Sequence, residues 1–184
     1  MRYEALIKSC IDRQANAQRE LYERFSPQML GVCYRYARDM SEAEDILQEG
    51  FIKVFQKIEA YHFKGTLEGW IRKIMVHTAI DFLRKRKQQM KETEIQEAMG
   101  EEVSDEIIDR LELEYLYGVI QSLPTGYRLV FNLYAIEGYS HQEIGTQLGI
   151  SASTSRSQYT RARTLLKKRI REDRMETNIY KDVI

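Results

Sequence analysis

Eight side chains between Ser153 and Lys168 could do recognition chemistry. Ser153, Arg156, Ser157, Thr160, Arg161, Thr164, Lys167 and Lys168 share one face when the segment is wound as a helix, and no carboxylate joins them until Glu172. Small hydroxyl side chains let a helix approach a DNA major groove closely, and Arg can fork onto guanine or phosphate. A solvated basic helix would read the same way in isolation. What precedes it favours DNA. Ser140 is placed to cap a short helix carrying Ile144 and Leu148, Gly149 sits where a left-handed residue ends it, and Ser151 can cap the next. Ser155, Tyr159, Ala162, Leu166 and Ile170 form the opposite, core-facing stripe of the basic helix.

A second group of candidates lies earlier. In the run that begins at Ser41, read as an N-cap, Ala43, Leu47, Phe51, Val54, Phe55 and Ile58 make a core stripe. Asp45, Gln48, Glu49, Ile52 and Gln56 occupy the other face. Ile52 stands at the centre of that polar face, as a lone exposed residue or as the anchor of a protein-docking surface. Tyr61-His62-Phe63-Lys64-Gly65 then reads as a connector. Its aromatics could stack on bases with Lys64 near phosphate, or Tyr61 and Phe63 could close the bottom of the core. Thr66 caps a long helix that is apolar on two sides, with Lys73, His77 and Arg84 forming a narrow polar stripe between them. Arg84-Lys85-Arg86-Lys87 ends it with more cations than a cap needs, and a phosphate path is the better reading.

These elements bound the class. The 184 residues are 43% hydrophobic and 30% charged, enough for one or two small helical domains. Strand-like alternation is absent and there are two prolines, so the chain reads as all-α. Pro27 should start or kink a helix, and Pro124 should stop one helix and open the next. The formal net charge of zero conceals a pattern. Residues 1–88 hold sixteen cations against twelve carboxylates, residues 89–116 two against ten, and residues 117–184 ten against six. Two basic blocks therefore flank an acidic middle. The organisation expected is a first domain over 1–90, a flexible acidic linker over 91–112 with a helix starting near Ser104 or Asp105, a second domain over 113–174, and a frayed tail over 175–184.

Covalent chemistry finds no support. No Ser or Tyr has a base at convincing spacing, and the carboxylates crowd into the linker and the Asp45–Glu49 face. His62, His77 and His141 show no metal-ligand spacing with each other or with Cys10 and Cys33, which read as buried free thiols. No catalytic site, metal, cofactor or small-molecule substrate is expected. No apolar run approaches bilayer length and the first residues lack a signal-peptide pattern, so a cytoplasmic protein without membrane insertion is expected.

Three stretches, in order, resemble the bacterial extracytoplasmic-function (group IV) sigma factors of RNA polymerase. SEAEDILQEGFIKVF (Ser41–Phe55) resembles the helix that docks on the polymerase clamp, and WIRKIMVHTAIDFLRKRK (Trp70–Lys87) the helix that reads and opens the −10 element. Leu123–Arg163 resembles the helix-turn-helix domain that reads the −35 element. The Ser153–Tyr159 run resembles the Bacteroidetes-type subset.

The resemblance implies two small helical domains, like sigma regions 2 and 4, joined by the acidic linker. It implies polymerase binding by Asp45, Gln48, Glu49 and Ile52. It implies capture of unpaired −10 bases by Tyr61, His62, Phe63 and Lys64, with Lys73, His77, Arg84 and Arg86 along the −10 DNA, His77 standing where the family often has Asn. It implies −35 contacts from Ser153, Thr154, Arg156, Ser157, Thr160, Arg161 and Lys167. The partners implied are core RNA polymerase, promoter DNA (duplex at −35, single-stranded at −10) and an anti-sigma factor. The linker, as a polyanion mimic, is expected to occupy cationic surface along the polymerase's RNA path. The competing reading is a one-component helix-turn-helix regulator, which would leave the Ile52 face and the 61–65 loop without a use.

Overall fold

The computed structural model describes residues 3–92 and 108–181, and among them every regular element is helical. The chain falls into two compact units, Met1–Met99 and Gly100–Ile184. Of the expected linker, residues 91–92 end one helix and 108–112 begin another. The remainder, with the helix start expected at Ser104 or Asp105, lies outside the described residues.

The first unit holds α1 (Glu4–Ile11), α2 (Ala15–Tyr34), α3 (Met40–Lys57), a 3-10 turn (Ile58–Ala60) and α4 (Leu67–Glu92). Helices α2, α3 and α4 pack on one another, and α1 lies on α2. Their shared interior contains Leu21, Phe25 and Met29 from α2, Ile46, Phe51 and Val54 from α3, and Ile71, Met75 and Ala79 from α4. Burying such side chains stabilises the bundle by about 1.5–3 kcal/mol each relative to exposure. At Gly50, where α3 meets α4, a Cβ would run into the Met75 thioether, and that side chain would have to shift to admit it.

Two local expectations are corrected here. Asp39, not Ser41, caps α3: its backbone is extended (φ −146°, ψ 178°) and its Oδ1 accepts from the Glu42 N–H at 2.8 Å. Two good cap residues stood two apart, and the helix took the earlier. No helix starts at Pro27, since α2 runs continuously through it. Both Pro27 and Glu23, whose carbonyl loses its bond to the missing N–H, are exposed, so water can serve that carbonyl.

The second unit holds α5 (Ile108–Gln121), α6 (Thr125–Phe131), a π-helical turn (Asn132–Ile136), α7 (His141–Leu148) and α8 (Ala152–Lys181). Helices α5, α6 and α7 each pack against α8. Val119, Leu123, Ala162 and Leu166 form the buried cluster, with Tyr127, Phe131 and Ile170 against it. The core stripe expected on the basic helix is the one found. The backbone of α8 is helical to Lys181, into the stretch expected as a tail.

Candidate nucleic-acid and protein interfaces

The turn before α8 is built by local chemistry. Ser140 and Glu143 form a reciprocal capping box: the Glu143 N–H donates to Ser140 Oγ at 3.3 Å and the Ser140 N–H to Glu143 Oε2 at 2.8 Å. Gly149 ends α7 in the left-handed region (φ 66°, ψ 37°), and Ser151 Oγ accepts from the Thr154 N–H at 3.0 Å to start α8. Gly145 lets the backbones close, since a Cβ there would lie 2.7 Å from the Ile150 carbonyl oxygen.

One tie in this turn had no sequence signal. His141 Nδ1 lies 2.9 Å from the Oγ of fully buried Ser155, and its ring stacks on Tyr134 at 4.2 Å and 8°. Burial, and then the charge of Arg156, lower the His141 pKa from its ordinary value. A neutral imidazole thus joins the start of α7 to the first turns of α8. Fourteen residues separate the pair, beyond any periodicity.

The face so presented is open. Ser153, Arg156, Ser157, Thr160, Arg161, Thr164, Lys167 and Lys168 are all exposed, while Thr154 is half-buried with its Oγ1 2.8 Å from Ser151 Oγ. Ser157, Thr160 and Thr164 each donate their hydroxyl to a carbonyl of the preceding turn, at 2.9, 3.0 and 3.0 Å. These back-bonds hold the hydroxyl groups close to the helix.

On α3, Asp45, Gln48 and Ile52 are exposed, and Ile52, at 57%, is the most exposed large apolar side chain among the described residues. Glu49 is more enclosed. Lys53 Nζ approaches its Oε1 at 2.9 Å and Lys85 Nζ at 3.7 Å, and the bond from Lys53 leads in holding its carboxyl below the usual range.

The 61–65 connector divides its aromatics between the two readings. Tyr61 is buried, donates its hydroxyl to the Gly65 carbonyl at 2.9 Å and packs on Trp70 at 5.5 Å, so it closes the core. Phe63 is exposed, with its backbone in the left-handed region (φ 56°), and its ring lies 5.1 Å from that of Tyr61. His62 and Lys64 are exposed beside it. An open hollow of about 460 Å³ lies alongside, lined by Ile7, Ile11, Glu59, Tyr61, His62 and Phe63 among others.

On α4, Lys73, His77 and Arg84 are exposed. Partial burial is the leading cause of a lowered His77 pKa, opposed by the charge of Asp81. Arg86 differs from them: it is drawn inward onto Glu42 of α3, Nη1 to Oε1 at 2.6 Å. One nitrogen of the guanidinium expected on a phosphate path is thus engaged by a protein carboxylate. Among the described residues no cluster of His, Cys, Asp and Glu could hold a metal ion, and no helix is long and apolar enough to cross a membrane.

Comparison with known proteins agrees with this division. Residues 21–89 match the family model for sigma-70 region 2, and residues 113–166 that for sigma-70, region 4. The ECF RNA polymerase sigma factor SigE of Mycolicibacterium smegmatis is 32% identical over 164 residues, which cover 86% of this chain and 63% of that protein. The ECF RNA polymerase sigma factor SigW of Bacillus subtilis is 28% identical over 178 residues, covering 90% of this chain and 95% of that one. The fold resembles that of sigma factor RpoE, solved in complex with the anti-sigma factor NepR from Bartonella quintana. The TM-score is 0.55 at 18% identity, over 83% of this chain and 96% of that one. The two region models together span more than half of the residues, in the order and on the two units described above. The chain belongs to the sigma-70 family, as an ECF-type sigma factor.

Proposed function

We propose that this chain binds core RNA polymerase through the exposed face of α3, directs it to promoters by reading −35 duplex with α8, and holds unpaired −10 bases at the 61–65 connector and α4. Asp45, Gln48, Glu49 and Ile52 are the polymerase-binding residues in this reading. Ser153, Thr154, Arg156, Ser157, Thr160, Arg161 and Lys167 meet the −35 DNA. His62, Phe63, Lys64, Lys73, His77 and Arg84 meet the −10 DNA, with Tyr61 supporting Phe63 from within the core. The chain does no covalent chemistry of its own.

Physical reasons support each part. The α8 face joins cations to small back-bonded hydroxyl groups, which suits a major groove. Phe63 offers an outward ring beside an open hollow, and stacking recovers about 1–3 kcal/mol per base, comparable to the cost of unstacking it. Ser153–Tyr159 supports placing the chain with Bacteroidetes-type members. A cytoplasmic location suits polymerase and DNA as partners, and an anti-sigma factor covering these same surfaces is the expected regulator.

The observation that carries the reading is Ile52, more than half exposed amid carboxylates and an amide on a helix whose other face is buried. A one-component regulator has no use for that surface. A gel-shift separates the two: the protein alone should bind promoter duplex weakly, and adding core enzyme should give a stable complex. Tight binding by the isolated protein, indifferent to core enzyme, would favour the regulator.

A further inference from the structure

Glu42 is a charged residue inside the first unit. Only 4% of its surface is exposed, and it sits in the first turn of α3. A buried carboxylate is tolerable when paired and hydrogen-bonded. Glu42 Oε2 accepts from the Arg38 N–H at 2.6 Å, and its Oε1 accepts from Arg38 Nε at 3.2 Å and Arg86 Nη1 at 2.6 Å. Arg86 lies 44 residues away, near the far end of α4.

The neighbours of Arg86 behave differently. Its side chain is 19% exposed, against 55% for Arg84 and 67% for Lys85. Beyond Leu83, the last buried apolar residue of α4 among the described side chains, the Glu42–Arg86 pair is the most enclosed tie between the two helices. The pairs Lys53–Asp81 (3.9 Å) and Lys85–Glu49 (3.7 Å) also cross from α3 to α4, but they are longer and more exposed, where ion pairs hold little.

We infer that Glu42 and Arg86 are a positioning pair: they fix the cation-bearing end of α4 to the first turn of α3, so that Arg84 and Lys85 meet DNA from a frame set by polymerase docking. Neither residue touches DNA in this arrangement. The inference rests on the proposed function, because it needs α3 to dock and α4 to face promoter DNA. It reassigns Arg86 from a phosphate contact to a support, and it gives Glu42 a role in promoter binding.

The test uses the full chain with core polymerase and a fluorescent promoter duplex, titrated at several salt concentrations. The variants are Glu42→Gln, Arg86→Met and the double substitution, with Glu42→Asp as a milder change that keeps the charge but shortens the reach. Thermal melting and core binding are measured for each, and promoter titrations are run below the lowest melting temperature. The two single variants should weaken promoter binding by a similar factor, on the order of tenfold, with the same change in salt slope, and the double should be no worse than either. Glu42→Asp should weaken binding as well.

A different pattern would overturn the inference. If Arg86→Met lowered the salt slope by about one phosphate contact while Glu42→Gln and Glu42→Asp left it unchanged, Arg86 would be a direct DNA contact. Strictly additive effects would also overturn it. Should the unsubstituted protein fail to bind promoter with core enzyme, the proposed function fails and not the pair.

Discussion

Replacing Ile52 by Ala should separate docking from folding. The side chain is 57% exposed in the free chain, so a little over half of its surface is still available to a partner. Complete burial of an isoleucine is worth about 1.5–3 kcal/mol, which leaves about 1–1.5 kcal/mol to be gained on docking. Ile52→Ala should therefore weaken core polymerase binding by about five- to tenfold. Stability should move the other way, if at all. The lost atoms were largely in water already, and Ala gains a few tenths of a kcal/mol of helix propensity at a mid-helix position. Fluorescence anisotropy of labelled protein titrated with core enzyme reads the first quantity, and urea denaturation of the free chain reads the second. An unchanged Kd would refute the docking assignment. A loss of stability matching the loss of binding would show that Ile52 supports the fold instead.

Three further outcomes follow from the same geometry. Ser140→Ala removes the hydroxyl half of the capping box, leaving the residue's backbone N–H to donate to Glu143, and should cost about 1 kcal/mol in the second unit, read as a lower urea midpoint with an unchanged slope. His141 holds fewer protons folded than unfolded, so its share of the stability is complete above the ordinary value of 6.5 and declines as pH falls from there toward the lowered value. An imidazole proton resonance titrating at 6.5 or above would contradict this. The Cys33 thiol is fully buried and pushed up to about 12, so at pH 8 a thiol reagent should label it no faster than the chain opens, and rapid labelling of folded protein would contradict its burial.

What could be read from the sequence was what the chain decides locally. Ser140, Gly149 and Ser151 act over three or four residues, so their types and spacing were sufficient to place both ends of the helix-turn-helix. The Ser155–Ile170 stripe was legible because one helix face repeats at a known period. Local competition explains part of what was missed: Asp39 and Ser41 both suit a cap, and nothing in their spacing ranks them. Long-range pairing explains the rest. Arg86 looked like one more cation in a run of four, and only the packing of α3 on α4 brings it to Glu42. His141 and Ser155 gave no sign of each other, because their meeting depends on the angle between α7 and α8. Tyr61 and Phe63 looked alike in the connector, and the backbone turned one inward and the other out.

The most direct test of the central claim is run-off transcription by core RNA polymerase on a library of promoter fragments, with and without this chain. The chain should make core enzyme initiate at a restricted set of fragments sharing one −35 and one −10 sequence, and both Ile52→Ala and Arg156→Ala should reduce that output. Initiation indifferent to the chain, or retained at full strength when the α3 face and the α8 face are both altered, would contradict it.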